Sequence, residues 1–265
     1  MRKEDFENNL MIGVSGVRGI VGETLTPELV TRLGVAFGTY MRSGKIVVGR
    51  DPRVSGAMIK HSVLAGLIST GCSVIDVGVC STPSCSLMIE ELRVDGGIVI
   101  TGSHNPIEWN ALKFFRSDGI FLNDNESRRL LQFYYMGNFR KAQWNELKEV
   151  IEDQSANERH LKKVLQNVDL DSVRDRKFRV VLDCCNGAGS IITPMLLERL
   201  GCDVIKIHCR PTGLFPHNPE PTFVNLQELC KVVKEKKADI GFAQDADADR
   251  LAIVDDTGRY VGEEY

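Results

Sequence analysis

GGIVITGSHNP, residues 96–106, joins an uninterrupted apolar run to a polar, turn-forming one. Five residues without a polar side chain, closed by turn signals, read as a strand buried on both faces, the kind found inside parallel sheets. Ser103 then falls in the loop at that strand's carboxyl end, the edge where ligands gather in open α/β sheets. Gly102 lets the backbone turn tightly, and Asn105-Pro106 sets the next turn. His104 offers a polar or cationic group beside the serine, suited to an attached phosphate. The same residues also suit a plain loop in which serine and asparagine satisfy backbone groups.

Working outward, the pattern repeats. Residues 27–41 carry an apolar helical stripe (Leu29, Val30, Leu33, Phe37, Tyr40) with proline near its start. KIVVG (45–49) and SVIDVG (73–78) are strands, and residues 56–70 and 83–92 are helices. Residues 125–163 are polar and largely helical with no strand pattern. Alternation restarts with FRVVLDC at 178–184 and continues through the helices 191–200 and 226–236. It ends with the strands CDVIKI and ADIGFA and the hairpin LAIVDDTGRYVG, turned at residues 256–258. Strand–helix–strand order predicts an α/β fold with parallel βαβ units. The expected architecture is two similar domains, 1–153 and 154–265, each a mixed, mostly parallel sheet flanked by helices.

DADADR, residues 245–250, follows the apolar strand ADIGFA after a single residue, Gln244. Three carboxylates at alternating positions of an extended segment would share one side. Held close without a cation, each pair costs about 1–4 kcal/mol. A hard divalent ion removes that cost, and an all-oxygen donor set selects magnesium. Arg250 follows, where it can address a phosphate near the metal. The alternative is a solvated acidic loop. GVSGVRGIVG (13–22) leaves room for a phosphate at its backbone, with Arg18 as its one cation. NGAGS (186–190) reads as a helix-opening turn, and VVGRDPRVSG (47–56) as a structural turn with Arg50, Asp51 and Arg53 as local ion partners.

Composition narrows the class. The 265 residues are 43% hydrophobic and 26% charged, and 33 basic against 36 acidic residues leave a net charge of -3. That balance favours neither nucleic acid nor an anionic membrane as partner. No apolar run approaches the ~20 residues of a bilayer span. The opening MRKEDFENNL is too polar for a secretory signal. Eight cysteines without a C-x-x-C pair give no zinc spacing and fit a reducing cytoplasm.

Taken together, GVSGVRG, VVGRDPRVSG, TGSHNP and DADADR resemble, in that order and over almost the whole chain, motifs of the α-D-phosphohexomutase family of phosphoglucomutases, phosphomannomutases and phosphoglucosamine mutases. The resemblance implies interconversion of hexose 1-phosphate and hexose 6-phosphate through a phosphoserine at Ser103 and a hexose 1,6-bisphosphate intermediate. It further implies Mg2+ held by Asp245, Asp247, Asp249 and an oxygen of the Ser103 phosphate. Arg18, His104, Lys113 and Arg250 would surround the phosphoryl group, with Lys113 in proton transfer. Ala246 stands where the family commonly has glycine, and Trp109 and Ala111 where it has tyrosine and glycine. Family members generally have four domains, and this sequence stops after the second, at GEEY; the third domain largely chooses the sugar. The expected partner is a hexose phosphate, and the chain alone is expected to be a poor mutase. Two other functions remain open at this point: a non-catalytic sugar-phosphate or interaction module, and an aspartyl-phosphate hydrolase using Asp245.

Overall fold

The computed structural model describes residues 10–13 and 16–263. Val14 and Ser15 of the first glycine-rich motif lie outside the described residues. The chain opens with β1 (Met11–Gly13), β2 (Gly16–Ile20), α1 (Pro27–Tyr40), β3 (Lys45–Arg50), α2 (Gly56–Ser69) and β4 (Ser73–Val79). There follow α3 (Thr82–Glu91), β5 (Gly96–Ile100), β6 (Trp109–Arg116), α4 (Asp124–Met136) and β7 (Val150–Glu152). These strands form one sheet in the order β1-β2-β6-β5-β3-β4-β7. β5, β3, β4 and β7 run parallel, and β6, β2 and β1 continue antiparallel.

Local sequence sets these elements. α1 starts where the Thr26 side chain accepts from the Leu29 amide and Pro27 takes the first turn. α4 starts on a reciprocal cap, Asn123 accepting from the Glu126 amide at 3.0 Å while Glu126 accepts from the Asn123 amide at 2.8 Å. β5 is buried along its whole length, and its side chains alternate between two cores. Ile98 and Ile100 pack with Phe37, Val63 and Leu67 under α1 and α2. Val99 packs with Met88, Ile89 and Phe115 under α3.

The second sheet follows α5 (Ala156–Leu165) and α6 (Leu170–Arg174). It is built from β8 (Arg179–Asp183), α7 (Gly189–Arg199), β9 (Asp203–Ile207), α8 (Gln227–Lys236), β10 (Ile240–Gln244), β11 (Leu251–Asp255) and β12 (Tyr260–Gly262). Its order is β12-β11-β10-β8-β9, with β9, β8 and β10 parallel and β11 and β12 antiparallel. Val181 and Ala243 face Leu229 and Val233 of α8, while Val180 and Leu182 face Leu197 of α7. Both sheets therefore combine a parallel core with an antiparallel ribbon, and the α/β class with two mixed, helix-flanked sheets is the observed one.

Four strands depart from the sequence reading: the glycine-rich stretch read as a phosphate-facing loop contributes to β1 and β2, and β6 and β7 were not expected. WNALKFFR forms β6, pairing antiparallel with β5 along its length. Six of its eight residues are buried, so neither alternation nor a clean apolar run marks it. The polar stretch after α4 contains β7, a three-residue edge strand with Ile151 exposed. Among the described residues no helix is long and apolar enough to cross a membrane.

Candidate active site

The loops after β3, β5 and β10 meet at the carboxyl ends of the parallel strands, the place ligands occupy in such sheets. Thr101 closes β5 by donating to Asp51 Oδ2 at 2.7 Å and accepting from the Ser103 amide at 2.8 Å. Ser103 itself holds a left-handed φ of 49°, a conformation few non-glycine residues adopt and one that needs support around it. That support is Arg53. Its guanidinium is 1% exposed and pairs with Asp51 at 3.0 Å. It also donates to the carbonyls of Ser103 at 2.7 Å, Asn105 at 2.8 Å and Pro106 at 2.8 Å. The Asp51–Arg53 ion pair expected from the sequence is present, and the turn that carries it is a buried strut under the serine loop. Arg50 donates to the Asp51 carbonyl, not to the carboxylate.

The acidic loop comes from the other sheet. Its carboxylates converge because Ala248, at φ 55°, turns the chain, so the extended alternation expected from the sequence is replaced by a turn. One carboxylate oxygen from each of Asp245, Asp247 and Asp249 lies within 4.8 Å of the others. Asp245 Oδ1 accepts from the amides of Asp249 and Arg250 at 3.2 and 3.3 Å. The NGAGS turn braces this loop from below, the Ala188 amide donating to the Ala246 carbonyl at 2.8 Å. A Cβ on Gly187 would come 2.6 Å from that same carbonyl oxygen, so the close approach requires glycine.

The two loops touch. Ser103 Oγ donates to Asp245 Oδ2 at 3.0 Å. Lys113, on β6, donates to Asp247 Oδ2 at 2.8 Å and Asp249 Oδ2 at 3.0 Å. Thr82, first residue of α3, donates its hydroxyl to Asp247 Oδ2 and its amide to the Asp247 carbonyl. Asp247 Oδ1 is buried with no hydrogen-bond partner. An orphaned carboxylate oxygen among two further carboxylates, with no nitrogen or sulfur donor, fits a hard divalent cation such as magnesium.

Electrostatics follow from this crowding. Burial first, then the charges of Asp247 and Asp249, hold the Asp245 carboxyl well above its usual range. Burial also acts to raise Asp247, but the Lys113 ammonium reverses it and leaves that carboxyl below its usual range. Burial alone would lower Lys113; Asp247 and Asp249 raise it. Burial, then the Arg250 guanidinium, lowers the His104 imidazole.

A cleft of about 220 Å³ opens beside the serine, lined by Arg18, Ser103, His104, Lys113, Asp249 and Arg250 among others. Asp245 and Asp247 lie beneath it. Arg250 also pairs with Glu263 at 3.4 Å. Arg18, Ser103, His104, Lys113, Arg250 and the three aspartates are therefore brought to one place. Sequence reasoning missed Asp51 and Arg53 as supports of the serine loop, and Thr82 altogether.

Comparison with known proteins then adds a match to the family model for phosphoglucomutase/phosphomannomutase alpha/beta/alpha domain I over residues 9–140, and to that for domain II over residues 158–258. The chain belongs to the phosphoglucomutase/phosphomannomutase family. A phosphoglucomutase/phosphomannomutase of Thermococcus kodakarensis is 41% identical over 257 residues, covering 95% of this chain and 56% of that protein. A probable phosphoglucosamine mutase of Methanopyrus kandleri is 40% identical over 251 residues, covering 94% of this chain and 55% of that protein. The chain thus spans about half the length of these curated relatives. Among solved structures, a phosphoglucomutase/phosphomannomutase family protein of Burkholderia thailandensis superposes with a TM-score of 0.83 at 28% identity. That match covers 95% of this chain and 57% of the other.

Proposed function

We propose that the chain carries the phosphoserine and metal half of a phosphohexomutase, which interconverts hexose 1- and 6-phosphates. The carrying observation is the 3.0 Å contact between Ser103 Oγ and Asp245, which joins a loop of each sheet at one cleft. Ser103 would hold the transferable phosphate. A sugar hydroxyl oxygen forms the new bond to phosphorus, the bond to Ser103 Oγ breaks, and the hydroxyl proton passes to a group in the cleft. The resulting hexose 1,6-bisphosphate returns its other phosphate to Ser103. Arg18 and Arg250 supply cationic contacts to the anionic sugar phosphate, and Lys113 and His104 stand where charge and a proton must be handled. Asp245, Asp247 and Asp249, with a seryl-phosphate oxygen, would hold Mg2+, which when bound neutralises phosphoryl charge as a Lewis acid.

The same proposal divides the chain into units 1–153 and 154–265 and assigns it to a reducing cytoplasm, which suits eight free cysteines. Because the relatives are about twice as long, the 265-residue chain by itself is proposed to exchange phosphate but to turn over hexose phosphate slowly. Incubation with labelled hexose 1,6-bisphosphate should label the protein, and Ser103→Ala should remove the label. Equal labelling of that variant refutes the assignment of Ser103. No label on the unaltered chain leaves a sugar-phosphate-binding module.

A further inference from the structure

The three aspartates are not the sole meeting point of ligating atoms. Asp183 ends β8, His208 follows β9, and His217 lies in the proline-rich connection toward α8. One oxygen and two ring nitrogens from these side chains lie within 4.8 Å of one another. We propose that Asp183, His208 and His217 form a zinc site, separate from the carboxylate loop and independent of the phosphohexomutase reading.

The geometry suits a small tetrahedral ion. His208 Nδ1 and His217 Nε2 stand 3.1 and 3.0 Å from the same Asp183 Oδ2. Ligands at the ~2.0–2.1 Å bond lengths of tetrahedral zinc lie about 3.3 Å apart, so these two separations are within a few tenths of an ångström of that spacing, and the two ring nitrogens lie within 4.8 Å of each other. Each ligand is also held from behind. His217 Nδ1 is 2.8 Å from the Asn218 carbonyl, which can only accept, so that nitrogen carries a proton and Nε2 is the one left to face Asp183. His208 Nε2 is 3.5 Å from a Glu228 carboxylate oxygen, and Asp183 Oδ1 accepts from the Cys185 amide at 2.8 Å. The acceptors behind the two rings fix ring orientation and raise ligand basicity, as at metal sites generally, while the Cys185 amide orients the carboxylate.

The donor set discriminates. Two imidazoles beside one carboxylate favour zinc over magnesium, whereas the all-oxygen loop at 245–249 favours the reverse. Asp183 is 2% exposed at its side chain, while the imidazoles are 19% and 17% exposed, which leaves an opening for water as a fourth ligand.

The site would pin the connection between β9 and α8, whose middle reaches the other sheet. Gly213, at φ 68°, sits so close to the loop after β3 that a Cβ would fall 2.1 Å from the Pro52 carbonyl oxygen. The ring of Phe215 lies 4.7 Å from the Arg53 guanidinium. An ion at Asp183 would therefore fix the segment that covers the strut beneath Ser103.

Cobalt(II) titration of the whole chain in excess magnesium tests the assignment. One tetrahedral cobalt per chain is expected, with d–d absorption, no thiolate charge transfer, displacement by zinc, and tighter binding as pH rises. Asp247→Asn should leave this signal in place. His217→Gln and His208→Gln should each abolish it while far-ultraviolet circular dichroism stays that of the parent; if one fails to fold, the other carries the test. Glu228→Gln should weaken binding about tenfold. Absence of a tetrahedral spectrum, thiolate charge transfer in its place, or equal binding by both histidine variants would overturn the proposal. The cluster would then be an Asp183–histidine ion pair and nothing more.

Discussion

Arg53 is the largest fully buried side chain, and it commits its donors to Asp51 and to three carbonyls of the serine loop. Removing the guanidinium strands a buried carboxylate and frees a loop that holds a left-handed residue. Arg53→Met is expected to cost about 3–5 kcal/mol in urea unfolding. It should also lower phosphate labelling of Ser103 under conditions where the variant is still folded. A loss under 1 kcal/mol would show that the strut is dispensable. Ser103 and the three aspartates were legible in the sequence because each motif is a contiguous string behind an apolar strand. The pair of Arg53 with Asp51 was legible as a local one, but its bonds to the serine loop were not, because those carbonyls lie about fifty positions away. Thr82 gave no signal, since a threonine before proline at a helix start is ordinary.

At the level of elements, strands buried on both faces and bounded by turns were readable, as β3, β5 and β8 are. β6 was not, because Asn110 and Lys113 interrupt its apolar character, Lys113 to reach the acidic loop and Asn110 to donate to Ser55 Oγ just before α2. β7 was too short to carry a pattern and exists by pairing with β4. The packing of α3 on α5 contains a pH-dependent joint, where Ser84 Oγ lies 2.9 Å from His160 Nδ1. Burial, and next the Lys163 charge, lower the His160 imidazole below 6.5. The fold thus prefers the neutral ring. Its contribution is fully present above pH 6.5 and is lost as pH falls through the lower, folded-state value. Thermal unfolding of the parent should therefore drop on acidification below pH 6.5, and His160→Gln should flatten that part of the curve. An unchanged slope would mean that the ring titrates as if in water.

Across the whole molecule, the two sheets are joined by polar contacts at their ligand-facing edges. Lys113 from one side compensates Asp247 and Asp249 from the other. Lys113→Met should cost about 3–5 kcal/mol when no divalent ion is present, because Asp247 loses its buried partner. Magnesium at the acidic loop would take over that compensation, so the same substitution should cost less in its presence. Equal losses with and without magnesium would separate the ion from these carboxylates.

The Thr82 amide gives this junction a clock. The first amides of a helix have no carbonyl within the helix to receive them and ordinarily exchange quickly with solvent. Here the first amide of α3 donates at 2.9 Å to the Asp247 carbonyl, on a loop more than 160 positions further along the chain. Its deuterium uptake therefore times how often the two halves part, a quantity that the slower amides inside either sheet do not register. Deuterium should enter Thr82 more slowly when magnesium is added, and much faster in Lys113→Met. Rapid uptake in every state would mean that the halves separate freely between encounters with ligand.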